Sequence, residues 1–389
     1  MNSTNKFDNE KDTPFVYGKT VSSMAFTNRE DVQEKLLMNL TQGINTMLIS
    51  PRRWGKSSLV EHAMLAVKKN HPAIKVVMLD LFTTANQQEF LELFAREVIK
   101  ASSTKWEDWM QTGKSFFKQI VPKLSVGLNP SSDFEVQFDW KELQKYPDEV
   151  LSLPERLAQE KNCRFIVCID EFQNLVEYDD FEPLEKKMRA IWQKQKLTSY
   201  CLYGSKRHMM TAIFNKSSRP FYRFGDIILL GKIERNKWTS FIQKNFKRTG
   251  KIISKKNAEL IPILMNDHSW YVQQLANYTW QKTKHEVSEQ HIYDALQELI
   301  YANSPLYQRE VEILSKKQVN LLKAIAKKEL QLSSAETMQR FDLGTSASVV
   351  KNRKILEQSD VIHEQNGYYE FLDPAFELWF NKVFFGVNI

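Results

Sequence analysis

Cysteine is scarce in this chain, with three residues, Cys163, Cys168 and Cys201, in 389. The count is odd, and all three lie in or beside apolar, strand-like runs without paired metal-ligand spacing, which excludes a disulfide framework and a cysteine zinc site. A reduced cytoplasm is the expected setting. Long apolar runs are missing too: those at 165–169 and 227–230 fall far short of the roughly 20 residues a membrane span requires. Glycine and proline, 12 of each, leave few turn signals and point to a folded chain rather than a low-complexity one. No acidic excess is present; the net charge is +7 and the pI about 9.0, a modest lean towards polyanions. The seven histidines do not cluster with cysteines, so zinc is not expected. Residues 1–13 are polar and mixed in charge, lack the apolar stretch of a signal peptide, and read as an unstructured leader.

What is present is a rhythm. Apolar, β-branched runs at 45–50, 73–81, 164–170, 199–204 and 226–230 alternate with helical patterns such as 56–69, 87–101 and 184–194. Near-continuous apolar strands separated by helices imply an α/β unit whose parallel sheet is covered on both faces. At 124–138 the rhythm breaks: Leu124, Val126 and Leu128, then a polar break, then Phe134, Val136 and Phe138 alternate as in a hairpin. This reads as an insertion near 120–140, either a surface elaboration or a partner contact. After Lys232 the strand runs stop, and spaced apolar residues predict helices at 235–249, 256–265, 270–284 and 289–302. From about Asn303 three helices, at 316–327, 334–341 and 346–359, precede a small hairpin at 361–372, the order of a winged helix. The expected division is a leader at 1–13, a sheet domain at 14–232, a helical lid at 233–303 and a winged-helix domain at 304–389.

Between the first strand and the first long helix stand Ser50, Pro51, Arg52, Arg53, Trp54, Gly55, Lys56 and Ser57, followed by Ser58. These match Gly-x-x-x-x-Gly-Lys-[Ser/Thr] with Ser50 in place of the first glycine. In such a loop, backbone N–H groups and the positive helix end cradle phosphates, the lysine reaches the β and γ oxygens, and the hydroxyl ligates Mg²⁺. ATP and Mg²⁺ are the expected cofactors. The run at 164–170 ends in Asp170 and Glu171, where parallel sheets bind ligands. Asp170 would hold the metal shell with Ser57, and Glu171 would polarise the attacking water. Ser205, just past the fourth strand run, would stand between Glu171 and the γ-phosphate, although a plain strand-end turn would carry a serine as well. For transition-state charge an arginine is wanted, and Arg219 and Arg223 are the candidates.

Pro51 to Leu59, with Phe26, Asn28, Arg29 and Glu30 upstream, resemble the AAA+ ATPases related to the STAND NTPases, the archaeal-type ATPases found also in bacteria. Ile169 to Gln173, Tyr203-Gly204-Ser205 and the stretch from Pro220 to Gly225 resemble the same group, over most of the chain from about Phe15 to Phe380. The resemblance implies a P-loop NTPase core with a five-stranded parallel sheet, a helical lid and a C-terminal winged helix, with Arg29 beginning the segment beside the adenine pocket. Relatives carry Gly-x-Pro in the lid, where this chain has His268, Ser269, Trp270 and Tyr271. With no arginine there, a second phosphate sensor is not expected.

Three functions fit these residues: a nucleotide-dependent regulatory switch, a DNA-handling ATPase of mobile elements or genome maintenance, and a non-hydrolysing scaffold, which the presence of Glu171 disfavours. For duplex DNA speak the winged-helix pattern, a run from Lys244 to Lys256 without an acidic residue, and Lys351, Arg353 and Lys354 on the expected recognition helix. Against it, residues 312–372 carry a net charge of only +1. A protein partner or a second copy of the chain is the other expected contact. No membrane contact is expected.

Overall fold

A computed structural model describes residues 13–18, 29–102, 146–365 and 367–387; the hairpin expected near 120–140, most of the expected leader, and Phe26 and Asn28 fall outside them. The chain divides into two compact units, one of Arg29–Ser50 with Lys56–Leu230, the other of Met1–Asn28 with Pro51–Gly55 and Gly231–Ile389.

The first unit is built on five parallel strands: β1 (Thr46–Ile49), β2 (Ile74–Asp80), β3 (Arg164–Asp170), β4 (Thr198–Gly204) and β5 (Asp226–Leu229), in the order β2-β3-β4-β1-β5. Phe165, Ile166, Val167, Cys168 and Ile169 of β3 are all buried, which is why that strand reads as an uninterrupted apolar run. Around the sheet lie α1 (Glu30–Thr41), α2 (Lys56–Asn70), α3 (Gln87–Ser102), α4 (Pro147–Glu160), α5 (Phe181–Trp192) and α6 (Arg207–Phe214). Helix α2 buries Leu59, Val60, Ala63, Met64 and Val67, one stripe at helical spacing, together with Lys56 and Ser58 at its start, and leaves Lys68, Lys69 and Asn70 at its end exposed. Register sets the ends of the strands side by side: Ile49 of β1 pairs with Gly204 of β4, and Ile169 of β3 with Leu202 of β4. The loops leaving β1, β3 and β4 therefore emerge at one edge, where this class of sheet places its ligands. Cys168 and Cys201 sit opposite each other in β3 and β4, buried and unbridged.

In the second unit come α7 (Arg235–Arg248), α8 (Lys255–Leu264), α9 (Ser269–Lys282), α10 (Glu289–Glu312), α11 (Lys316–Ala326), α12 (Ala335–Arg340) and α13 (Ser346–Gln358), then β6 (Ile362–Gln365), β7 (Tyr368–Phe371) and α14 (Pro374–Phe385). Helix starts are marked by side-chain caps from Ser254, Ser288, Ser315, Ser334, Thr345 and Asp373, each satisfying N–H groups that a helix end leaves open. Gln365 pairs with Tyr368 across the β6-β7 hairpin, and Gly367 takes φ 85°, the left-handed conformation such a tight turn needs. One helix, α10, runs straight through Asn303, where the sequence suggested a new unit, and contains Pro305. A single apolar core explains the continuity, since Trp238, Ile261, Leu275 and Leu296 share it with Tyr307, Leu322, Phe376 and Phe380. No helix among the described residues is long and apolar enough to cross a membrane.

Candidate functional site

The N-terminus of α2 and the ends of β3 and β4 bring together five of the residues named from the sequence, Lys56, Ser57, Asp170, Glu171 and Ser205. Lys56 is buried, 6% exposed, and its ammonium forms an ion pair with Oδ1 of Asp170. Its amine also stands 4.7 Å from the ring centre of Tyr203, at the end of β4. Ser57 donates from Oγ to Asp170 Oδ2 at 2.7 Å. Burial pushes the Asp170 carboxyl above its ordinary range, outweighing the pull of Lys56 and the hydrogen bond from Ser57.

Glu171, the next residue, takes left-handed backbone angles, φ 50° and ψ 40°, as the chain turns from β3 into a short 3-10 segment, Phe172–Glu177. Its Oε2 accepts from Gln173 Nε2 at 2.5 Å, from Ser205 Oγ at 2.9 Å and from the Ser205 backbone N–H at 3.4 Å. Oε1 lies 3.7 Å from Lys56 Nζ. Burial alone would raise this carboxyl, but Lys56 and the bonds from Gln173 and Ser205 hold it below its ordinary range. Two neighbouring carboxyls are thus pushed in opposite directions. The second is held in its ionised form with one oxygen tied down, which fixes its orientation more than it strengthens it as a base. Among the described residues, Gln173 and Tyr203 touch the site without having been assigned a role from the sequence. Tyr203 reaches Lys56 from β4, a placement the local pattern does not state, whereas Gln173 bonds Glu171 within its own turn.

The loop joining β1 to α2 has Arg53 at φ 63° and Gly55 at φ 88°, so the backbone turns through left-handed angles at two of its residues. Ser50 and Pro51 are buried. The side chains of the loop have partners within their own unit. Arg52 is 3.9 Å from Asp360. Arg53 donates to the Tyr271 hydroxyl at 3.3 Å and lies 4.9 Å from the ring centre of Trp270. Trp54 is buried, edge-on to His268 at 6.2 Å and His363 at 6.0 Å, with the Lys232 amine 5.8 Å away. Tyr271 in turn donates to Asp373, which also accepts from Tyr307 and caps α14. Ser58 is buried in α2, and Arg29 is buried at the start of α1, its guanidinium held down to about 10 by burial.

The two arginines considered for transition-state charge separate. Arg219 is committed to the fully buried Glu185, at 2.6 Å, and lies over Phe181. Arg223 is exposed, with φ 53°, and stacks on its neighbour Tyr222. The basic residues considered for DNA separate as well. Lys351 and Lys354 are exposed on α13, whereas Arg353 packs 4.8 Å over Tyr369 of the hairpin. In the other run, Lys251 binds the Trp280 carbonyl at 2.6 Å and stacks on its ring, and Lys256 pairs with Glu289. Lys244, Lys247, Arg248 and Lys255 remain exposed.

A lysine amine, a hydroxyl and a carboxylate converging at a helix N-terminus are the donors that a nucleotide phosphate with Mg²⁺ requires: hard oxygen ligands, few from protein, beside one cation. A family model described as a probable winged helix domain matches residues 305–382. A search of curated protein sequences finds no match. Among solved structures, the Walker-type ATPase PABY2304 of Pyrococcus abyssi is 18% identical with a TM-score of 0.67, covering 93% of this chain and 98% of that one. The ORC2 protein of Aeropyrum pernix in its ADPNP-ADP complexes is 14% identical with a TM-score of 0.56, covering 91% and 92%. Its ADP form is 15% identical with a TM-score of 0.51, covering 90% and 92%. The chain shares the fold of these structures, a five-stranded parallel sheet with flanking helices, and carries a C-terminal winged-helix domain.

Proposed function

We propose that this protein binds Mg-ATP and hydrolyses it, and that its nucleotide state works as a regulatory signal. The observation that carries the first part is the convergence of Lys56, Ser57 and Asp170, with Glu171 tied to Ser205 beside them. The loop backbone and the start of α2 would receive the phosphates, and Lys56 would turn from Asp170 to the β and γ oxygens. Ser57 and Asp170 would hold Mg²⁺, whose contribution is charge neutralisation on the phosphates. Glu171, ionised and facing Lys56 through Oε1, would orient water and take its proton. Arg223, exposed, is the residue left to meet developing charge.

The regulatory part rests on the loop side chains. Arg53 and Trp54 contact lid residues His268, Trp270 and Tyr271, and through Tyr271 and Asp373 the start of α14. Movement of the loop on nucleotide binding would have to be accommodated by a second arrangement of that network, as in nucleotide switches. The A. pernix ORC2 structures contain adenine nucleotides, which is in keeping with this reading. Calorimetry with ATP and ADP, compared between wild type and Arg53→Ala, tests it: loss of the Arg53 contact should change the ratio of the two affinities. An unchanged ratio would leave ATP binding in place and remove the switch.

Weak duplex DNA binding is the second reading, supported by the exposed Lys351 and Lys354 on α13, the helix in the recognition position of the winged helix. Fluorescence anisotropy at low salt tests it, and no binding there would make this domain a packing or protein-contact module.

A further inference from the structure

Gln173 is 1% exposed, in a turn whose neighbours Phe172 and Leu175 are fully buried. A buried side-chain amide is costly unless both of its ends are bonded. Here one end is. Nε2 donates to Glu171 Oε2 at 2.5 Å, whereas Oε1 has no hydrogen-bond partner among the described residues. The orientation follows from chemistry, because the flipped amide would set its oxygen against a carboxylate.

The other wall of the slot is Gly204, the last residue of β4. A Cβ there would stand 1.8 Å from Gln173 Oε1, so glycine is what lets the amide lie flat against the strand. Gly204 carries no positive φ, so the packing and not the backbone makes the demand. Ser205, next in sequence, donates to the same oxygen of Glu171. Three donors from two elements, the Gln173 amide in the turn after β3 and the Ser205 hydroxyl and backbone N–H past the end of β4, therefore grip Oε2 and leave Oε1 turned to Lys56 at 3.7 Å. Held from Ser205 alone the carboxylate could swing about that one anchor; held from the β3 side as well it has one orientation.

We propose that Gln173 is a positioning residue that, seated against Gly204, locks the Glu171 carboxylate with Oε1 presented to the attacking water. This rests on the hydrolysis reading above. It accounts for the tolerance of an unbonded buried acceptor: the amide is placed for its donor.

Turnover and Mg-ATP affinity of Gln173→Met, which fills the slot without a donor, and of Gly204→Ala, which pushes the amide out, test the assignment in the wild-type and Glu171→Gln backgrounds. In the wild-type background each substitution should lower kcat by about tenfold or more while the Mg-ATP Kd stays within about twofold. In the Glu171→Gln background neither should lower the residual turnover further, because Gln173 acts only through Glu171. Gly204→Ala combined with Gln173→Ala, which removes the clash with the amide and leaves only the flexible Met210 side chain, its Sδ 2.9 Å from the new Cβ, to give way, should be no slower than Gln173→Ala alone. Wild-type kcat in Gln173→Met, or an equal loss with and without Glu171, would overturn the assignment and leave the hydrolysis reading standing. Absence of wild-type turnover would instead overturn the hydrolysis reading and this one with it.

Discussion

The Ser57 hydroxyl lies 2.7 Å from Oδ2 of Asp170, a residue 113 positions away in sequence, while the adjacent Lys56 pairs with Oδ1 of the same carboxylate. One carboxylate thus links both side chains of the phosphate loop that would meet metal and phosphate. Asp170→Asn should weaken Mg-ATP binding by roughly tenfold or more, and metal-free ATP by much less, since the lost charge acts through the ion. Titrations with and without Mg²⁺ measure the difference. Equal losses would assign Asp170 to the fold.

The buried pair Glu185 and Arg219 should matter for stability and not for chemistry. Glu185 is fully buried, and burial pushes its carboxyl up despite Arg219. Arg219→Ala strands that carboxyl and should cost about 3 kcal/mol in denaturant melts, within the range for breaking a buried pair. Arg223→Ala, at an exposed position, should leave the midpoint unmoved. A stable Arg219→Ala would mean that Glu185 takes up a proton without penalty.

His268 gives a pH signature. Burial first, then the charges of Lys232, Arg53 and His363, hold its imidazole down to about 3 from the ordinary 6.5. The folded state therefore resists a proton that the unfolded chain accepts. Its contribution to stability is present above pH 6.5 and is lost as pH falls towards 3, by at most about 1.4 kcal/mol per pH unit. His268 makes no side-chain cap at the start of α9, so His268→Phe removes the titration without removing a cap. Unfolding free energies between pH 7 and pH 5 should fall less steeply in that variant. Parallel slopes would show that other groups carry the dependence. Glu370, held at about 2 against the pull of burial by His363 and Lys232, adds a separate loss at lower pH, below the ordinary carboxylate range.

Much of this architecture is legible in the sequence because it is local. The five strand runs are apolar enough to be seen singly, and Lys56, Ser57, Asp170 and Glu171 sit in short motifs beside them. The helices expected from the apolar spacing at 289 and 316 begin there, each capped by the serine before it, Ser288 and Ser315. What escaped is what neighbours decide. Tyr203 meets Lys56, and Gly204 seats the Gln173 amide, only because β4 lies beside β3, and the continuity of α10 past Asn303 comes from a core shared with α14. Arg353 falls on the basic side of α13 by sequence, yet the hairpin that follows supplies Tyr369 and draws it in. Arg219 likewise looks like a free cation until Glu185 appears beside it.

That reassignment changes the DNA test. Replacing Lys351 and Lys354 with Gln should flatten the log-log salt dependence of duplex binding by nearly two units, at about 0.9 per phosphate contact. Arg353→Gln should leave the slope alone and loosen the hairpin instead. A slope unaltered by the double substitution would remove α13 from the interface.

Lys56 and its partners are proposed to form an Mg-ATP site. Calorimetric titration of Mg-ATP into wild type, Glu171→Gln and Lys56→Ala tests it most directly. Wild type and Glu171→Gln should bind alike, since Glu171 acts on the attacking water, and Lys56→Ala should show no measurable binding. Equal affinity in wild type and Lys56→Ala would contradict the account.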